Sequence, residues 1–238
     1  MQDTGVMVSV RPNYVAALLI AVVILLHTLS GVAVWAKLAF DGEYYKITEF
    51  FDVGIEGNIP TIYSVIGLFI ASLTALTASA ASNLNRDGLS RYWVAVSIVM
   101  LFLAFDEGAM IHEEVGGLFE EYFPNVATGY LYWIWVVPYG IAVLLFFAAM
   151  FPFLQSLPRR TCYGLITAGA VFISGAVGVE VASARIYEQH SEASLRPPVF
   201  YLLYSIEEFL EKLGVIIFIY FSLDYASGGS SALKIQRA

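Results

Sequence analysis

Six long apolar stretches constrain this chain more than any other feature of its sequence. They cover approximately residues 14–35, 60–82, 92–111, 129–154, 163–184 and 199–225. A helix of about 20 apolar residues crosses the hydrocarbon core of a bilayer, which is about 30 Å thick. The sequence therefore predicts an all-α polytopic membrane bundle of six transmembrane helices, which forms one integral membrane domain over residues 1–238.

The composition agrees with a membrane protein and excludes several other classes. Charged residues make up 13% of the chain and hydrophobic residues 59%, whereas a soluble domain carries about 25% charged residues. The net charge of −8 argues against nucleic acid binding, which needs a basic surface. With Cys162 as its single cysteine, the chain has no intramolecular disulfide and no cysteine-based zinc site.

The basic residues predict the orientation of the bundle. Of the twelve lysines and arginines, seven lie on one side of the predicted spans and four on the other, while Lys212 lies inside the sixth span. The seven are Arg11, Arg86, Arg91, Arg159, Arg160, Lys234 and Arg237, and the four are Lys37, Lys46, Arg185 and Arg196. Because basic residues accumulate in cytoplasmic loops, we expect both termini to be cytoplasmic.

The outer connections are rich in acidic and aromatic residues. Two short interfacial helices are predicted there, one from the spacing of Tyr44, Ile47 and Phe51 and one around residues 118–123. The aromatic residues at 130, 132, 133 and 135 predict a membrane-anchoring belt. A solvated outer surface accounts for many of the acidic residues, Asp52 and Glu188 among them.

Five ionisable residues lie too deep in the predicted spans to be solvated. With a helical rise of 1.5 Å per residue, they lie about 20 to 26 Å from the inner boundary, in one layer. They are His27, Glu107, Glu180, Glu207 and Glu211. Buried carboxylates need shared protons, a basic partner or a metal cation. Lys212 offers an i+4 partner only to Glu208, so a cation or protons must neutralise the remaining acids. These five residues are the predicted ligands if that cation is a divalent metal ion.

The third span adds residues whose role depends on the course of the helix. On a continuous helix His112 points away from Asp106 and Glu107, so it joins the site only if the helix ends or bends before it. His112 and Glu113 are therefore predicted at the rim of the site. Glu56, which lies just outside the second span, is predicted there as well. Asp106 and Glu208 are the predicted catalytic acid/base residues. Carboxylates with one or two histidines suit Mg, Mn, Ca, Fe or Zn rather than copper.

Small residues in the fifth span predict a close contact between helices. Gly164 and Ala168 form a small-xxx-small pair, and Ser174, Gly175 and Gly178 continue the same surface before Glu180. We therefore expect a neighbouring helix to approach the fifth span closely.

Three short motifs carry a family resemblance. They are Glu56-x-Asn58-x-Pro60-Thr61, Asp106-Glu107 with His112-Glu113, and Glu207-Glu208-x-x-Glu211. Together they resemble a family of uncharacterised bacterial six-span membrane proteins, which implies a location in the bacterial plasma (inner) membrane and brings no known activity. A fainter similarity connects the chain with zinc-dependent membrane hydrolases of the alkaline ceramidase and adiponectin receptor type, although the last span lacks their His-x-x-x-His.

Three functions remain open at this point. The first is a metal-dependent hydrolase or oxidoreductase that acts on a lipid-like substrate. The second is a transporter or channel whose acidic residues carry protons or cations. The third is a non-catalytic subunit or assembly factor that binds partner membrane subunits. The lipid bilayer is an expected partner in each case.

Overall fold

Long apolar helices form the body of the protein. The computed structural model describes residues 7–40, 45–123, 125–190, 197–230 and 232–236. Its helices are α1 (Pro12–Ala39), α2 (Tyr45–Phe51), α3 (Ile59–Asn85), α4 (Ser90–Ala109), α5 (Ile111–Tyr122), α6 (Val136–Ser156), α7 (Arg159–Ile173), α8 (Glu180–Gln189) and α9 (Pro198–Ala226). The predicted all-α class is confirmed, with the addition of two short terminal strands, β1 (Met7–Val10) and β2 (Leu233–Gln236).

Among the described residues, five helices are long and apolar enough to cross a membrane. They are Pro12–Ala39, Ile59–Asn85, Ser90–Ala109, Val136–Ser156 and Arg159–Gln189. The sixth predicted span corresponds to the helix α9. It is not among these five helices, because its charged residues at 207, 208, 211, 212 and 224 make it less apolar. Five of the six predicted spans are thus supported by length and composition, and the crossing by α9 stays a prediction.

Two connections show how the helix bounds differ from the approximate spans. α4 ends at Ala109 rather than at 111, because Met110 adopts a left-handed conformation with φ of 53°. α6 begins at Val136 rather than at 129. The segment before it starts with a short 3₁₀ turn at Gly129–Leu131, where Gly129 has φ of 61° and cannot continue a right-handed helix.

Helices are present in the two segments where the sequence predicts short interfacial helices. α2 covers the pattern around Ile47 and Phe51, and α5 extends the pattern of residues 118–123 towards the N-terminus. Their position at a membrane interface stays a prediction. Tyr44, Arg196 and Arg237, on which parts of the sequence predictions rest, lie outside the described residues.

α9 is the central helix, which packs against α1, α3 and α7. Glycines allow its close approach to the fifth span. A Cβ atom at Gly175 would lie 2.7 Å from the carbonyl oxygen of Glu207, and one at Gly214 would lie 2.7 Å from Cβ of Phe172. The predicted close contact at Gly175 is therefore confirmed, whereas a Cβ at Gly178 would meet nothing within 4 Å.

The two ends of the described chain meet at one end of the bundle. β1 and β2 pair antiparallel, with Met7 opposite Gln236 and Val10 opposite Leu233. Nearby, Arg160 forms an ion pair of 3.2 Å with Asp224, and Tyr225 donates a hydrogen bond to Asp87. The α3–α4 and α6–α7 connections therefore lie at the same end as the terminal strands.

Candidate functional site

A cleft of about 410 Å³ opens at the opposite end of the bundle. Its lining comes mainly from α4, α5, α8 and α9 and from the loop before α3. Nine acidic side chains line it: Glu56, Asp106, Glu107, Glu113, Glu120, Glu180, Glu207, Glu208 and Glu211. His112 lines it as well, and no lysine or arginine does among the residues that the structure describes. The cleft thus unites most of the residues that the sequence singled out.

The break between α4 and α5 positions His112. The backbone N–H of Met110 donates to the carbonyl of Asp106 and closes α4, after which α5 begins at Ile111. A continuous helix would carry His112 to the far side, whereas the break returns it to Asp106. α4 thus ends before His112, which is the condition under which we expected His112 to join the site.

His112 lies between two carboxylates. Its Nδ1 is 3.3 Å from Oδ2 of Asp106, and its Nε2 is 3.4 Å from Oε1 of Glu56. Oδ1 of Asp106 accepts a hydrogen bond of 2.5 Å from the Tyr139 hydroxyl. The ring of Trp135 packs against the imidazole with 4.9 Å between centroids. These contacts fix both the position and the orientation of the imidazole.

A capped helix start positions Glu56. Oδ1 of Asn58 accepts a hydrogen bond of 3.2 Å from the backbone N–H of Thr61, and Pro60 lies in the first turn of α3. The Asn58 amide also donates to the carbonyl of Asp52 at 2.7 Å. The Glu56-x-Asn58-x-Pro60-Thr61 motif is therefore a helix N-cap, which fixes the loop that carries Glu56.

Three side chains converge at the mouth of the cleft in the manner of metal ligands. One ligand atom each from Glu56, His112 and Glu113 lies within 4.8 Å of the other two. Glu56 and Glu113 are exposed and His112 is half-buried. We call these three residues the mouth group.

The electrostatics of the mouth group reflect its crowded carboxylates. Burial lowers the pKa of His112, but hydrogen bonds to Asp106 and Glu56 outweigh that effect and raise this pKa to about 10. The pKa of Glu113 is raised by partial burial and by the neighbouring Glu56 carboxylate. The site therefore attracts a positive charge, either a proton on His112 or a cation.

Five carboxyl groups lie deeper in the cleft, with one lysine beside them. The carboxyl groups of Glu180 and Glu207 lie within hydrogen-bonding reach of each other, and we call them the deep pair. Lys212, which is almost fully buried, forms an ion pair with Glu208, as the i+4 spacing predicts. Glu107 and Glu211 line the cleft and also a smaller cavity that Lys212 lines.

His27 is not among the residues that line the cleft. Its Nδ1 bonds with the carbonyl of Val23 at 3.0 Å, and its ring packs edge-on against Phe209 at 5.5 Å. Its Nε2 is buried without a hydrogen-bond partner. The structure thus separates His27 from the mouth group, and its role as a ligand stays a prediction.

Sequence reasoning misjudged Asp52 and missed several aromatic residues. Asp52, predicted as solvated, is only 2% exposed, because its Oδ1 accepts hydrogen bonds from the Tyr204 hydroxyl at 2.6 Å and from the Gly54 N–H at 3.1 Å. Trp133 and Trp135, predicted as membrane anchors, line the cleft together with Tyr139. The clustering of aromatic residues in this segment was the available signal. Their spacing alone does not distinguish a membrane-anchoring belt from the wall of a cleft.

Glu188 also differs from the sequence prediction. Its Oε2 accepts a hydrogen bond of 2.9 Å from the backbone N–H of Gly129. It therefore holds the start of the 3₁₀ turn against α8 rather than serving only as a solvated surface residue.

The fold and the cleft together define a class of protein. It is a helical protein with membrane-type helices and an acidic, histidine-containing cleft at one end of the bundle. The chain belongs to the family described as Domain of unknown function (DUF8692), whose model matches residues 15–225. This membership agrees with the resemblance to an uncharacterised family. No curated protein and no solved structure matches the chain.

Proposed function

We propose that the protein is a metal-dependent membrane hydrolase that binds a divalent cation through the mouth group and acts on a lipid-like substrate. The convergence of one imidazole nitrogen and two carboxylate oxygens within 4.8 Å carries this proposal. Three protein ligands leave a coordination position open for water or substrate, as catalytic zinc sites do. Nitrogen and oxygen donors suit Zn, Fe or Mn.

The surroundings of His112 support the same role. Ligating histidines usually donate their second ring nitrogen to a carboxylate, which fixes the tautomer. Here Asp106 lies beside Nδ1 and leaves Nε2 to face Glu56, while Tyr139 holds Asp106 in place. Because both oxygens of Asp106 have partners, we propose a positioning role for it in place of acid/base catalysis. Glu208 is held by Lys212 in a comparable way.

A metal ion at the mouth group would lower the pKa of a bound water and polarise an ester or amide carbonyl of the substrate. The remaining cleft carboxylates are available to accept the proton of that water. Apolar side chains of Leu68, Leu103 and Phe172 line the deeper wall, which supports a substrate with a hydrocarbon portion.

We also propose that the chain crosses the bacterial plasma membrane six times with both termini in the cytoplasm. The pairing of β1 with β2 at one end of the bundle supports an even number of crossings. The basic residues Arg86, Arg91 and Arg160 lie beside the connections at that end, which supports its cytoplasmic position. The cleft then faces the extracytoplasmic side.

Metal analysis of the purified protein tests the proposed function. We expect about one divalent metal ion per chain, and we expect Glu113→Gln to lose most of it because one of three ligands is removed. Glu114→Gln is the matched control, since Glu114 is also exposed and adjacent but lies outside the mouth group. Equal metal contents in the two variants would contradict the mouth site. A loss confined to Glu211→Gln would place the metal among the deeper predicted ligands instead.

A second candidate function, cation or proton transport, is favoured by one observation. Glu107 and Glu211 line both the cleft and the smaller cavity that holds Lys212, so ionisable groups continue beneath the cleft. Reconstitution into vesicles with an imposed pH or cation gradient would test it. Transport requires a flux that Glu211→Gln abolishes and that an empty vesicle lacks.

A further inference from the structure

The cleft combines an acidic interior with an apolar and aromatic wall, and this combination defines a ligand class. We propose that the cleft binds a cationic amphiphile, that is, a molecule with an amine or quaternary ammonium head and a hydrocarbon chain. This inference deepens the proposed function, because it names the substrate class of the same site and rests on the cleft being the place where the substrate binds.

The charges of the cleft exclude an anionic head group. Nine carboxyl groups line it, against the imidazole of His112 and, just outside the lining, the ammonium group of Lys212. One divalent ion at the mouth group would leave the balance of charge negative. A phosphate or carboxylate head would meet like charges in the cleft, whereas an ammonium head would reduce the repulsion among the carboxylates.

The deep pair is the place for the cationic head. Glu207 is only 9% exposed, and no lysine or arginine of the described residues lies within salt-bridge distance of Glu180 or Glu207. Glu208, by contrast, already has Lys212 as a partner. Glu180 is half-buried. Two neighbouring carboxyl groups at such depth without a basic partner share a proton or bind a cation. An ammonium group satisfies both of them.

The aromatic side chains supply the second half of the recognition. Trp133, Trp135, Phe200 and Tyr204 line the same cleft as Glu180 and Glu207. Aromatic faces attract quaternary ammonium groups. A volume of about 410 Å³ lies within the range of small-molecule sites, which leaves room for a head group and part of a chain.

The test compares three amphiphiles of equal chain length on the full-length protein in a neutral maltoside detergent. The probes are radiolabelled decyltrimethylammonium, decanol and decyl phosphate, each measured by equilibrium binding. We expect saturable binding of decyltrimethylammonium and no saturable binding of decyl phosphate. Protein-free micelles of the same detergent, measured with each probe, correct for partition into the micelle.

Variants locate the binding. The double substitution Glu180→Gln and Glu207→Gln preserves side-chain volume, and we expect it to weaken decyltrimethylammonium binding by about tenfold or more. Glu121→Gln, which removes an exposed carboxylate outside the cleft, is the control and should bind as the wild type does. If the double variant fails to fold, Glu207→Gln alone replaces it.

The outcomes separate this inference from the proposed function. Glu113→Gln removes a proposed metal ligand but not the deep pair, so it should lose metal and still bind the cation. Equal binding of the anionic and cationic probes overturns the inference, as does unchanged affinity in a folded deep-pair variant. Cation binding without any bound metal would support the inference while contradicting the proposed hydrolase.

Discussion

Two aspartates show how the surroundings of a single residue decide its chemistry. Asp52 is buried beneath Tyr204, and this burial raises the pKa of its carboxyl group. Burial also acts to raise the pKa of Asp87, but hydrogen bonds from Ser82, Tyr225 and the backbone N–H of Leu89 outweigh it and lower that pKa. Burial thus makes the first carboxyl group harder to ionise, whereas the hydrogen bonds to the second stabilise the fold when it is a carboxylate.

Asp87→Asn should destabilise the protein by about 1 kcal/mol at neutral pH, because a hydrogen-bonded carboxylate at the start of α4 is lost. A lowered folded-state pKa contributes stability above the unfolded value near 3.8 and loses it as the pH falls through the folded value. The difference in thermal unfolding between wild type and variant in detergent should therefore fade below about pH 4. A difference that stays constant down to pH 3 would contradict this account.

At the scale of elements, the fifth span is irregular where it borders the cleft. α7 and α8 are joined by a π-helical turn at Ser174–Val179 that leads directly into Glu180. Such turns place an extra residue in a helix and occur frequently at functional sites. The close contact of Gly175 with α9 accompanies this turn, so the helix irregularity and the deep pair belong to one local arrangement.

Gly175→Ala should destabilise the protein by about 1 to 3 kcal/mol, because its new Cβ would press against the backbone of α9. The nearest contact would be 2.7 Å, to the carbonyl oxygen of Glu207. Gly178→Ala is the matched control in the same turn, since its Cβ would meet nothing within 4 Å, and replacing a helical glycine there should be neutral or slightly stabilising. Thermal unfolding followed by fluorescence in detergent measures both, and equal effects would refute the packing argument.

At the scale of the whole molecule, the paired terminal strands and the cleft occupy opposite ends of the bundle. Asp87 precedes α4 and Asp106 lies near its C-terminal end, so the length of α4 separates the two ends. Hydrogen bonds and an ion pair close the end with the strands, whereas carboxylates crowd the end with the cleft. A bilayer placed across the apolar helices would leave the two ends on different sides.

Cysteine labelling tests this arrangement in a Cys162→Ser background. We expect Glu121→Cys to react with an impermeant maleimide in intact cells, because it lies at the cleft end. Asn85→Cys and Ser230→Cys, both exposed positions at the other end, should react only after permeabilisation. Labelling of Ser230→Cys in intact cells, with Asn85→Cys still protected, would show that α9 does not cross and would leave five crossings.

The sequence by itself determined the helical class, five membrane-type helices, the contact at Gly175 and the identity of most cleft carboxylates. Apolar length and the cost of buried charge are properties of single segments, so a sequence reveals them. Only the tertiary structure decided that His112 turns back to Asp106 and Glu56, that Trp135 faces the cleft and that Asp52 is buried. These three features depend on the left-handed conformation of Met110 and on contacts between segments that are distant in the sequence. A local sequence pattern does not include the free energy of such contacts, so it does not predict them.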